Sequence, residues 1–392
     1  MKARTESANA AVAPRPEAMA PESQVNPDQD HSVELRLRCR DWGWIVAILL
    51  LVAWTLPRAW KWVEGLEAGT DWRIPSDLSE DYWLVNRWAD AVAERSDVLL
   101  VGDSVVWGEF SAPDETLSKY LTELSPEVKF SNGGLKGLCP LALPALLEDV
   151  ISTGRQKGVV LHFNPIWMTS PQRDLREDQP TQVNHQMLLP QLWPHLPAYQ
   201  PDWNTRVGNL VGRKFRLTQW SSHLRLDDFE GQDFQSWTLE HPEELPFQAI
   251  DLASPEPRDG PASFYRASAR LPRKSTYDWV GLGDERQSSL QLAGFKRAVQ
   301  SLRRQGCPVF CLIGQLNPEM QTEVSLAGER SIRADLVEWL DQQQVSYARL
   351  PVRAEWMADS SHPLPDGYRA QAESLWKASE FQNWLRSLDT ER

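Results

Sequence analysis

From residue 97 onward the apolar and polar positions alternate between two rhythms. Short runs rich in aliphatic and aromatic residues predict strands at 98–101, 128–132, 158–163, 309–313 and 345–350. Between them, apolar residues recur at helical spacing. Leu117, Leu121 and Leu124 share one face of a helix over 114–124, which Pro113-Asp114 opens. Leu292, Phe295, Val299 and Leu302 do the same over 288–304. Further helices are expected over 141–151, near 331–343, and from about Gly367 to Leu388. Strand and helix in alternation predict an α/β fold, a three-layer sandwich around a mostly parallel five-stranded sheet. No internal repeat is present.

Two stretches break the rhythm. Residues 165–280 are rich in Pro, Gln, Trp and Asp and have poor periodicity. They are expected to form an insertion of short elements, not a second cored domain. Residues 64–96 are expected to be a connector and then a helix around Tyr82–Ala93, whose Trp83, Leu84, Trp88 and Val92 face a core.

Ahead of these lies an uncharged apolar segment, Trp42 to Pro57. Sixteen helical residues span about 24 Å, short of a bilayer core of roughly 30 Å. Arg58 and Lys61 can snorkel, and Trp60, Trp62 and Val63 can sit at the interface, so residues 42–63 are expected to form a single transmembrane anchor. A buried soluble helix is the alternative. Residues 1–41 form the tail, and their first 35 are rich in Ala, Pro, Glu, Ser and Asp without a hydrophobic period, the composition of a disordered segment. The apolar segment begins too far along the chain for a secretory signal peptide. Arg36, Arg38 and Arg40 precede the segment and Arg58, Lys61 and Arg73 follow it, a tie. Lys2, Arg4 and Arg15 tip the balance to a cytoplasmic N-terminus, with residues 97–392 extracytoplasmic.

Composition narrows the picture further. The chain of 392 residues carries a formal net charge of −13, which argues against a general nucleic-acid binder. Five of its 19 tryptophans (Trp42, Trp44, Trp54, Trp60 and Trp62) crowd the apolar segment, as at a membrane interface. Trp167, Trp193, Trp203, Trp220, Trp237 and Trp279 lie in the insertion, where they can stack on sugars or, for most of them, pack a core. The four cysteines form no CxxC pair, and Cys307 and Cys311 stand about 13 Å apart if extended, too far for a bridge. They suggest no zinc site and fix no redox compartment. His185, His195, His223 and His241 have no ligand spacing, so no metal is expected.

Four places line up at strand ends on one edge of the predicted sheet. Gly102-Asp103-Ser104 follows the first strand, and Asn132-Gly133-Gly134-Leu135-Lys136-Gly137 follows the second. Asn164 follows the third, and Asp359-Ser360-Ser361-His362 follows the last. Ligands bind outside the carboxyl ends of strands in open α/β sheets. A serine hydroxyl becomes a nucleophile when a base takes its proton. His362 is the candidate base, and Asp359 can fix its tautomer and stabilise its charged form. The N–H groups of Ser104 and Gly137 and the amide of Asn164 are candidate donors to an oxyanion. Glu109 and Trp107 can line a pocket there or be structural, and His162 is expected to pack in the sheet. Each piece also has an ordinary reading: Gly-Asp-Ser as a capped turn, Asp359 as a cap, His362 as a loop residue, Asn164 before Pro165 as a turn initiator. The coincidence of all four is what those ordinary readings explain poorly.

Over about residues 97–388, apart from the insertion, the chain resembles the SGNH hydrolases, the GDSL-type esterases and acyltransferases. The resemblance rests on Ser104 in VGDSVVWGEF, Gly137 in NGGLKG, Asn164 in HFNP, and Asp359 with His362 in DSSHPLPDGY. The chain departs from the family at Val105, where Leu is frequent, and in its third block, where the family has Gly-x-Asn-Asp. The resemblance implies a flavodoxin-like sheet, a Ser104–His362–Asp359 triad, an oxyanion hole of Ser104, Gly137 and Asn164, and acyl-ester chemistry without a cofactor. One anchor followed by such a domain is similar to bacterial envelope proteins that acylate glycans or teichoic acid. Gly314-Gln315-Leu316-Asn317-Pro318 is similar to a Pro-x-Asn element in that group. The resemblance implies an acyl ester or glycan as substrate, and envelope proteins as possible partners. Two other readings stay open: a non-catalytic envelope scaffold, and a soluble esterase whose apolar segment is a core helix.

Overall fold

The computed structural model describes residues 38–66, 72–151, 157–253, 274–280 and 288–388. The expected disordered tail over 1–35, and residues 254–273 of the insertion, lie outside them. The chain divides into two units, residues 1–50 and 51–392. Helix α1, Cys39–Val63, runs across the division. In the first unit the described residues are the start of that helix, where Asp41 accepts the Arg38 N–H at 2.9 Å and Trp44 and Leu50 stand exposed. Among the described residues α1 is the one helix long and apolar enough to cross a membrane.

The second unit is built on a five-stranded sheet. Strands β1 (Val98–Gly102), β2 (Phe130–Gly134), β3 (Gly158–Phe163), β4 (Val309–Ile313) and β5 (Ser346–Arg349) are all parallel, in the order β2-β1-β3-β4-β5. The first four are buried at every position, and in β1, β3 and β4 that burial on both faces goes with nearly continuous apolar runs, whereas β2 reads Phe-Ser-Asn-Gly-Gly. β5 is an edge strand and half exposed. Val98 pairs with Phe130 on one side and Gly158 on the other. The chain therefore leaves β1 towards β2 and returns to the opposite side at β3. That makes the carboxyl ends of β1 and β3 a topological switch point, the usual place for a ligand crevice.

Helices cover both faces. On one lie α2 (Tyr82–Arg95), α5 (Leu143–Ile151), α10 (Leu290–Arg304) and α11 (Glu323–Gln342), with Trp88, Leu147, Phe295 and Leu336 packed on Leu99, Leu161 and Cys311. On the other lie α4 (Leu117–Leu124), α12 (Pro365–Lys377) and α13 (Ser379–Leu388), with Leu121, Tyr368 and Phe381 packed on Leu100, Val160 and Phe310. Each fully buried side chain of this size contributes about 1.5–3 kcal/mol. The result is the expected three-layer sandwich.

Two helices differ from the sequence expectation. The helix expected from about Gly367 to Leu388 is two, broken at Ala378, whose backbone is extended. Tyr368, Ala372 and Leu375 fall on one stripe, but Phe381, Trp384, Leu385 and Leu388 lie out of phase with it, and the break turns both sets onto the sheet. The helix expected near 331–343 begins at Glu323, where Thr322 accepts the Ser325 N–H at 3.3 Å. Its first turns carry exposed Val324, so the apolar period shows only further along.

Over the insertion the chain forms short helices, α6 (Trp203–Lys214), α7 (Arg216–Asp227), α8 (Phe234–Glu240) and α9 (Pro246–Ala249). Trp237 and Trp279 are buried, whereas Trp193 and Trp203 are exposed.

Candidate active site

The site is built from the loops that leave β1, β2, β3 and β5. After β1, Asp103 accepts the Val105 N–H at 3.1 Å and so caps a four-residue helix, α3 (Ser104–Trp107). Ser104 is its first residue. Tyr368 on α12 donates to the Val105 carbonyl at 2.6 Å and fixes α3 from above. Buried Arg73 donates to the carbonyls of Trp107, Gly108 and Ser111 at 2.8–2.9 Å, with its guanidinium 4.0 Å from the Trp107 ring centre. Trp107 itself is buried and donates to the Ile74 carbonyl at 2.7 Å, so its role is structural.

At the other end of the chain, Asp359 organises a tight turn. Its Oδ1 accepts the N–H groups of Ser361 at 2.8 Å and His362 at 2.9 Å. The turn folds the imidazole back on the same carboxylate, with Nδ1 2.8 Å from Oδ2. A carboxylate only accepts, so Nδ1 carries the proton and Nε2 presents its lone pair. Nε2 lies 2.8 Å from Ser104 Oγ. The Phe110 ring meets the imidazole edge-on at 5.4 Å. Asn317, fully buried, donates its N–H to the Ser360 carbonyl at 2.8 Å and its amide to the Asp359 carbonyl at 3.4 Å. That is the place in this site of the Gly314–Pro318 stretch.

Burial alone would lower the pKa of His362. The hydrogen bond and charge of Asp359, with Asp103 and Glu109 beyond it, outweigh burial and raise it. Burial would raise Asp359, and His362 with the two backbone N–H groups outweighs that and lowers it. The pair therefore favours an imidazolium beside a carboxylate, the state that follows proton transfer from a hydroxyl.

Asn164 is buried at the end of β3. Its Oδ1 accepts the Ile166 N–H at 3.0 Å and its Nδ2 donates to Asp103 Oδ2 at 2.7 Å. Trp167 Nε1 donates to the same oxygen at 2.9 Å. Buried His162 stands with Nδ1 3.8 Å from Asp103 Oδ1. Asp103 thus joins the ends of β1 and β3 across the switch point. Sequence reasoning left Asp103 as a cap and Trp167 as a stacking or core residue. The acid between strand and serine was the available signal.

Gly137 lies in the turn beyond β2 with φ +76°, a conformation that favours glycine. A Cβ there would fall 2.1 Å from the Asn184 amide nitrogen. The turn is tied to the loop after α3 by Lys136 Nζ, 2.8 Å from Glu109 Oε1. Ser104, His362 and Asp359 therefore form one hydrogen-bonded chain. Asn164 bonds Asp103, the residue before Ser104, and the Gly137 turn reaches Glu109, whose backbone N–H donates to the Ser104 carbonyl at 3.2 Å.

No family model matches this chain, and no curated protein matches it. Among solved structures, one described as a "putative lipolytic protein of G-D-S-L family" from Desulfitobacterium hafniense aligns at 7% identity with a TM-score of 0.35, covering 72% of this chain and 99% of that one.

Proposed function

We propose that the protein is a membrane-anchored serine acyl-ester enzyme, a hydrolase or O-acyltransferase of SGNH type that acts on acyl esters of envelope glycans. The observation that carries this reading is the chain Asp359–His362–Ser104, with both links at 2.8 Å. Ser104 Oγ attacks the acyl carbonyl carbon, and its proton passes to His362 Nε2. Asp359 stabilises the imidazolium. The carbonyl oxygen becomes an oxyanion held by the N–H groups of Ser104 and Gly137 and the amide of Asn164. Collapse breaks the ester C–O bond, and His362 returns the proton to the leaving alcohol. Water or a sugar hydroxyl, deprotonated by His362, then attacks the acyl carbon of the acyl-serine; the acyl–Oγ bond breaks and His362 returns the proton to Ser104 Oγ. Hydrolysis and transfer share the first half of this cycle and differ only in the acceptor. The glycan, the anchor and the extracytoplasmic placement rest on the sequence pattern and on the length of α1.

The test is labelling by a fluorophosphonate probe. The wild type is expected to label, and Ser104→Ala and His362→Ala to lose labelling while keeping their thermal melts. A folded wild type that does not label turns the reading to a non-catalytic scaffold. Carbonate extraction of membranes and protease protection of sealed cells test the anchor and its orientation separately.

A further inference from the structure

We infer that His185, supplied by the insertion, is a positioning residue that aims the Gly137 N–H. The inference rests on the acyl-ester reading above and extends it to a residue outside the four sequence blocks.

His185 is buried, and its imidazole makes two hydrogen bonds. Nε2 lies 2.9 Å from the Lys136 carbonyl oxygen, and Nδ1 lies 3.0 Å from the Tyr82 hydroxyl. A carbonyl only accepts, so Nε2 must carry the proton. Neutral His185 then accepts the Tyr82 O–H at Nδ1. Burial lowers the His185 pKa and raises that of Tyr82, so both groups keep these states near neutrality.

The consequence lies in the peptide that His185 holds. The Lys136–Gly137 bond is trans and planar, so its C=O and N–H point in opposite directions. Anchoring the Lys136 oxygen on the His185 side therefore sends the Gly137 N–H to the other side. Gly137 takes φ +76°, which glycine adopts without steric cost, so what fixes the turn is its contacts. Lys136 Nζ holds the same turn to Glu109, five residues after the serine.

His185 is in turn held hard. Its backbone is left-handed, φ 57°, unusual for a residue with a side chain. The Glu80 carboxylate accepts its N–H at 2.6 Å. Beside it the exposed Asn184 side chain lies over Gly137. The corner Asn184-His185 is thus where the insertion meets the proposed oxyanion site, and α2 backs it through Tyr82.

The experiment measures the saturating rate constant and the half-saturating concentration of fluorophosphonate labelling. The proteins are the full-length wild type, His185→Phe, His185→Asn and His185→Gln, with melts recorded for each. Glutamine can place an amide donor near the Nε2 position, whereas asparagine reaches only the Nδ1 position and phenylalanine neither. Loss of one oxyanion donor typically costs 10²–10³-fold, so a misaimed donor is expected to cost about 10–100-fold. The expectation is that His185→Phe and His185→Asn lose that much in rate constant at an unchanged half-saturating concentration, and that His185→Gln stays within a few-fold of wild type. A folded His185→Asn or His185→Phe labelling at the wild-type rate overturns the inference. So does a folded His185→Gln that falls as far as they do. Either outcome leaves the acyl-ester reading standing, because the wild type still labels. A folded wild type that does not label removes both.

Discussion

Oδ1 of Asp359 accepts two backbone N–H groups and lies 3.0 Å from the imidazole Nδ1, while Oδ2 makes the shorter contact with Nδ1 at 2.8 Å. Asparagine at 359 has one oxygen and one NH2, so an oxygen that keeps the turn puts the NH2 at the shorter contact with Nδ1. If the oxygen keeps the turn, the amide faces Nδ1 as a donor and drives the imidazole to its other tautomer, with the proton at Nε2 aimed at Ser104. Asp359→Asn is therefore expected to lower the labelling rate by on the order of 10³–10⁴-fold with little change in melting temperature. The pH profile gives a second readout. Labelling needs neutral His362, so the wild-type rate rises with pH through a midpoint above the ordinary histidine value, because Asp359 raises that pKa against burial. In Asp359→Asn the midpoint moves down. A midpoint that stays put would show that Asp359 does not set the charge of the imidazole. Ser104, His362 and Asp359 were legible in the sequence because their residue types carry the chemistry. Asp103, Trp167 and His185 were not, because their roles come from partners up to 103 residues away that only the fold brings near.

At the scale of elements, α3 can reach its place only because β2 ends in glycine. A Cβ on Gly134 would fall 2.1 Å from the Trp107 backbone nitrogen, and backbone cannot move aside as a flexible side chain can. Gly134→Ala is expected to cost about 3 kcal/mol and to slow labelling by displacing Ser104. Gly208 in α6 has nothing within 4 Å of its Cβ position. Gly208→Ala is expected to be neutral or to stabilise by up to about 1 kcal/mol. Urea unfolding midpoints compare the two directly, and equal effects would sink the close-packing argument. The same elements show what the sequence could and could not tell. β3 and β4 were legible to the residue, because a strand buried on both faces writes a continuous apolar run. The break between α12 and α13 was hidden, because Ala378 carries no helix-breaking chemistry. Only the phase slip between Leu375 and Phe381 betrays it.

At the scale of the whole second unit, the insertion is not loosely attached. His223 on α7 is buried, with Nδ1 2.5 Å from Asp81, the N-cap of α2, and Nε2 bonded to Glu64 just after α1. Arg87 and Trp83 on α2 also bond Glu64. Two carboxylates and two cations thus balance while tying three segments together. Burial alone would lower the pKa of His223, and its hydrogen bonds to Asp81 and Glu64 outweigh burial and raise it to about 10. A raised folded-state pKa fixes the sign of the linkage. The contribution of His223 to stability is complete below its unfolded value of about 6.5 and is lost as pH rises through about 10. His223→Leu leaves Glu64 and Asp81 with Arg87 alone and is expected to cost about 3–5 kcal/mol at pH 7. The difference between wild type and variant should shrink steadily from pH 7 to pH 10. Thermal melts at both pH values give that difference, and groups not coupled to His223 cancel in it. A difference that stays constant across the range would mean that His223 is neutral in the fold and that packing, not charge, holds the insertion to α2 and Glu64.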